Sequence, residues 1–120
     1  MDINGRMAME MLHDSENKVK IIHFDADTTS YQMKPGDRCV RATSENADGS
    51  AILTLPSVAE AAGLFYFIYA PTGATGGDIS LYIKETATEL TTNGDMDADD
   101  DHILLFCDGV NWRTILDGVA

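Results

Sequence analysis

The run Ile103-Leu104-Leu105-Phe106-Cys107 leads directly into Asp108-Gly109 and then Val110-Asn111-Trp112-Arg113-Thr114-Ile115. It constrains the fold more than any other stretch. Asp-Gly takes a positive φ at little cost, so the chain reverses there and the two arms lie side by side as a β-hairpin. No polar residue interrupts the first arm, so both of its faces are expected to be buried. Trp112, the only Trp, is expected to close over the core edge and keep its indole N–H near water. Nothing in the hairpin is catalytic.

Other segments repeat the pattern of short apolar run and turn. Residues 18–24 alternate as a first strand, and residues 28–33 form a weaker second one. Lys34-Pro35-Gly36-Asp37 is a turn, with Pro presetting φ and Gly placed where freedom is needed. Strands are expected over 38–43 and 50–55, separated by a polar loop at 44–49. Pro56 ends the fourth strand, Ser57 and Glu60 have capping-box spacing, and Gly63 stops a single helical turn. Leu64-Phe65-Tyr66-Phe67-Ile68-Tyr69 is the most apolar strand, and it is aromatic on both faces. A small domain rarely covers both faces of such a strand, so it is either central or part of a subunit interface. A glycine-rich loop at 71–78 precedes a cleanly alternating strand over 79–84. Residues 86–92 are weakly strand-like, Asn93-Gly94 is a turn, and an acidic loop at 95–101 leads into the hairpin. The fold expected is mainly β: a small antiparallel β-sandwich or β-barrel with one short helical corner. Residues 18–120 form its single domain, behind an N-terminal arm at 1–17.

The 120 residues suit one core. No apolar run reaches the roughly 18 residues that span a bilayer, and residues 1–6 do not resemble a secretory signal, so no membrane partner is expected. Cys39 and Cys107 are too few for a disulfide scaffold and read as two buried thiols. The formal charge of −12 repels phosphate backbones and argues against nucleic acid. That charge is unevenly spread. Residues 1–41 hold Arg6, Lys18, Lys20, Lys34, Arg38 and Arg41, whereas residues 42–120 hold only Lys84 and Arg113. The near-neutral portion is suited to lie against another protein while the rest stays repulsive. Met1, Met7, Met9 and Met11 fall in the arm, which forms either a short helix over 7–12 or a segment that orders on a partner, since Met adapts to irregular surfaces. Arg6, Met7, Met9, Met11, Lys18 and Lys20 are the candidate partner-binding residues.

No catalytic, metal or cofactor site is expected. Asp95, Asp97, Asp99, Asp100 and Asp101 suggest a calcium loop, but Asp100 stands where that loop needs Gly and Phe106 where it needs Glu. The segment therefore reads as solvated and independent of metal. His13, His23 and His102 share no ligand spacing, no nucleophile-elbow motif frames a Ser, and no GK[ST] follows Gly73, Gly76 and Gly77.

Two pieces of the chain together resemble a module of tailed-bacteriophage virion proteins. They are Leu53-Thr54-Leu55-Pro56-Ser57 with Ala61-Ala62-Gly63 and Tyr66-Phe67-Ile68, and Leu104-Leu105-Phe106-Cys107-Asp108-Gly109-Val110-Asn111-Trp112. In that module, found in tail fibres, head fibres and capsid decoration proteins, a strand ending in TLP and an Ala-rich corner precede an aromatic strand, and a DG-x-NW hairpin closes it. The resemblance covers about residues 50–116. This chain departs from the pattern at Cys107, where a small polar residue is usual, and in its acidic loop. The resemblance implies a trimeric, non-catalytic β protein of the virion. Because the chain lacks a shaft or repeats, it implies a decoration (cement) protein bound to the major capsid protein on the outer head surface, assembled in the host cytoplasm. A fibre-tip adhesin for host glycan or protein is the alternative, and a small glycan-binding or hydrolytic domain is a third class.

Overall fold

A computed structural model describes residues 18–46, 51–71, 78–90 and 95–119. The arm at 1–17 and its candidate helix, the glycine-rich loop at 72–77 and the Asn93-Gly94 turn lie outside the described residues. Among these residues ten strands and one helical turn follow in order: β1 (Val19–Phe24), β2 (Ser30–Gln32), β3 (Cys39–Ser44), β4 (Ala51–Thr54), α1 (Val58–Ala61), β5 (Phe65–Ala70), β6 (Ile79–Ile83), β7 (Thr88–Glu89), β8 (Asp95–Met96), β9 (Asp101–Cys107) and β10 (Trp112–Asp117). The protein is thus mainly β, with the single helical corner expected from Ser57 and Gly63. Ser57 Oγ accepts from Glu60 N–H at 3.3 Å, which caps the turn, and donates to the Glu60 carboxylate at 3.0 Å.

The strands build two facing sheets. Sheet A has the order β1-β3-β5-β9-β10, and sheet B has β2-β4-β6-β7, with β8 also on β6. Pairing within them is mixed, not antiparallel throughout. From β1 to β6 the chain crosses to the other sheet with every strand, so β1, β3 and β5 pair in parallel, as do β2, β4 and β6. Each turn delivers the next strand opposite its predecessor instead of beside it. The result is a three-turn coil, after which β7 to β10 return antiparallel.

The core lies between the sheets. Alternation puts Ile22, Phe24, Val40, Ala42, Tyr66, Ile68, Ile103 and Leu105 inward from sheet A. Leu53, Ile79, Leu81 and Met96 meet them from sheet B. The hairpin forms as expected, but its first arm is not buried on both faces. Ile103, Leu105 and Cys107 are buried, while Leu104 and Phe106 are half-exposed on the outer side. Trp112 closes over the core edge-on to Tyr66, with ring centroids 5.4 Å apart. Its N–H is not near water: Nε1 is buried without an acceptor among the described residues. The ring points inward because Trp112 is registered opposite buried Cys107. The acidic segment is also only partly loop. Asp97, Asp99 and Asp100 are exposed, but β8 and β9 take its ends, burying Met96 and Asp101.

Candidate interaction surface

Of the two alternatives expected for Leu64–Tyr69, the structure shows the first, a central strand. β5 is the middle strand of sheet A, and on its second face Phe65 is exposed while Phe67 and Tyr69 are half-exposed. Tyr66, Ile68 and Ala70 point into the core, whereas Phe65, Phe67 and Tyr69 point outward. The register extends that outward face across the sheet. Val19 lies beside Cys39, Cys39 beside Phe67, Phe67 beside Leu104, and Leu104 beside Leu116. One apolar row therefore runs across all five strands. On one side of it lie Phe65, Phe106 and Arg113, the two phenyl rings 4.8 Å apart. On the other lie Ile21, Arg41, Tyr69 and His102. Four of the six exposed large apolar side chains among the described residues belong to this face: Val19, Ile21, Phe65 and Leu116. Its strand positions hold no Asp or Glu, but three carboxylates stand at its margins: Asp100 accepts from the Tyr69 hydroxyl at 2.7 Å, Asp108 lies 3.0 Å from Arg113 Nε, and Glu45 lies 3.2 Å from His23 Nε2.

The outer face of sheet B differs. Its rows read Ser30, Ile52 and a buried Ser80, and then Gln32, Thr54, Tyr82, Glu89. A polar outer face on one sheet and an apolar one on the other mark sheet A as the surface suited to protein contact.

At one end of the sandwich the two sequence pieces singled out above join. Gly63, at a φ of +81° after α1, donates its N–H to the Cys107 carbonyl at 2.8 Å. Cys107 N–H donates back to Leu64 O at 3.1 Å, and Cys107 Sγ–H to Val58 O at 3.4 Å. Only a residue without a Cβ takes that φ cheaply, so the Ala62-Gly63 corner can seat against the hairpin.

Among the candidate partner-binding residues, Arg6, Met7, Met9 and Met11 lie outside the described residues. Lys18 is exposed just before β1. Lys20 is exposed too, but its ammonium sits over the Tyr31 ring at 5.5 Å, bridging the two sheets at the first coil. The residues of the sheet A face were not among the candidates. They come from five separate segments and only the register unites them.

Four titratable groups shift, each away from neutrality. Burial, helped by the Asp37 carboxylate 2.8 Å from its hydroxyl, pushes the Tyr31 phenol up to about 12. The hydrogen bond to Asp100 raises Tyr69, and burial raises the Cys39 thiol. Cys39 is half-buried, and only Cys107 is a core thiol. Backbone N–H groups of Asn111 and Val110, with Arg113, lower Asp108 to about 2. None of these four is poised to exchange protons near pH 7. Among the described residues no group of three or more His, Cys, Asp or Glu converges as a metal site. No protein family, curated protein or solved structure matches the chain.

Proposed function

We propose that this chain is a non-enzymatic structural protein of a tailed-bacteriophage particle: a capsid decoration protein that binds the major capsid protein on the outer head surface, as a homotrimer, and stabilises the assembled shell. The observation that carries the reading is the joining of the corner at Gly63 to the hairpin at Cys107. The two separated pieces that resemble the virion module pack against each other, which supports reading them as one unit. A protein that binds the assembled lattice but not its free subunits stabilises the lattice by mass action. A trimer suits the three-fold positions between capsomers.

Charge supports an orientation. Lys18, Lys20, Lys34, Arg38 and Arg41 belong to the first coil and the start of the second, whereas Arg113 is the only Lys or Arg from β7 onward. The near-neutral end approaches the shell, led by Arg6, Met7, Met9 and Met11, and the acidic end faces solvent and keeps particles apart.

Electron microscopy of capsids with and without the protein tests the reading, with added density on the outer head surface as the expected result. Deleting residues 1–17 is expected to abolish binding to undecorated capsids while leaving the oligomer intact. Wild-type affinity in the truncated protein would remove the arm as anchor. Full-length protein that leaves capsids bare would remove the decoration role. The alternative, a fibre-tip adhesin, draws on the open aromatic line of Phe65, Phe67 and Tyr69, on which a sugar ring can stack. Binding to host envelopes instead of capsids favours it.

A further inference from the structure

We infer that the outer face of sheet A is the surface through which copies of this chain associate, with Val19, Cys39, Phe67, Leu104 and Leu116 at its centre. The inference rests on the homo-oligomer in the function proposed above and gives that oligomer its contact surface.

The face has the composition of an interface core. Such cores are depleted of Asp, Glu and Lys and enriched in aromatic side chains and Arg. Here the outward strand positions hold Phe65, Phe67, Tyr69 and Phe106, with Arg41 and Arg113 beside them, and acids stand only at the margins, Asp100 on Tyr69 and Asp108 on Arg113. Five strands at about 4.8 Å spacing and five residues at about 3.3 Å rise give a patch on the order of 400 Å² in plane. Patches of that size on a single chain are commonly functional.

The occupant follows from charge. Another copy of this chain carries −12 as well. Approach through a surface bearing its carboxylates sets like charges against each other. Approach through this face sets fewer of them together, because its central row holds no acid and the carboxylates at its margins, Asp100 and Asp108, are bound to Tyr69 and Arg113. It therefore fits a second copy of the same acidic chain, whose own sheet A offers the same apolar row. Sheets pack face to face at about 10 Å, with side chains of this size interdigitating. Three such faces turned toward a common axis close a trimer in the same way.

The two cysteines supply the test, because one lies on the face and the other in the core. In the full-length wild type at micromolar concentration, sedimentation should give an oligomer of the 13.0 kDa chain, with Cys39 protected from iodoacetamide. The double variant F67T/L104T keeps strand propensity but removes the apolar centre. It should sediment as a monomer and react at Cys39, while Cys107 stays unreactive and reports an intact fold. If Cys107 reacts, that variant has unfolded, and V19K/L116K on the two edge strands must give the folded monomer instead. A control on sheet B, T54A, should leave the oligomer unchanged. A monomeric wild type overturns the inference, as does an oligomer that survives both face variants. Capsid binding separates the two claims. An oligomer that survives the variants and still binds capsids means the face is misassigned and the decoration role stands. A wild-type oligomer that the variants dissolve but that never binds capsids means the face is right and the decoration role falls.

Discussion

Asp108 does more than start a turn. Its carboxylate accepts from the N–H groups of Val110 at 2.8 Å and Asn111 at 2.7 Å, and Arg113 Nε reaches it at 3.0 Å. These donors favour the ionised form and set its pKa at about 2, against an ordinary 3.8. A carboxylate lowered on folding contributes stability that is full above its unfolded value and lost as pH falls through the folded one. D108N should therefore melt below the wild type at pH 7, and the gap should close between about pH 4 and pH 2. A gap that persists at pH 2 would show that the ionised carboxylate is not the anchor. Asp-Gly was legible as a turn, since the φ requirement is local. The Trp112 N–H was not, because its burial depends on which side of the hairpin faces the core, and that comes from pairing with β5.

Glycine separates local from long-range legibility among the elements. Gly36 follows Pro in a turn and reads as needing conformational freedom, yet only Gly63 and Gly109 among the described glycines have positive φ. Neither Gly36 nor Gly63 has an atom within 4 Å of where a Cβ would stand, so the two differ in backbone conformation, not in space. G63A is expected to cost about 1–2 kcal/mol in chemical denaturation, the usual penalty of a left-handed residue with a Cβ. G36A should be neutral or slightly stabilising. Equal losses in the two would contradict this account. Strand positions were legible for the same local reason: apolar runs and turn chemistry mark where each begins and ends. Which strand pairs with which was not. A turn that crosses between sheets and one that doubles back within a sheet use the same Pro, Gly, Asn and Asp, and only the closed core distinguishes them.

For the whole molecule, charge and apolar surface are segregated. The lopsided distribution of Lys and Arg was countable in the sequence. The apolar face was not, because Val19, Cys39, Phe67, Leu104 and Leu116 are neighbours only through register. Copies at −12 that meet through a face with no acid in its central row should associate more tightly as salt rises, since the Debye length shrinks from about 10 Å at 0.1 M to about 3 Å at 1 M. Sedimentation equilibrium across that range reads this directly, and weakening by salt would mean that ion pairs hold the copies together. The winding of the first six strands has a consequence of another kind, for ancestry. Each circuit adds one strand to each sheet and leaves the chain ready to begin the next. Duplicating one circuit in the gene, from β3 to the end of α1, would lengthen both sheets in step, stack the inward Val40 and Leu53 on their own copies, and leave the closing hairpin untouched. Such a chain can evolve in whole circuits, so homologues of different length are expected to differ by a pair of strands instead of by one.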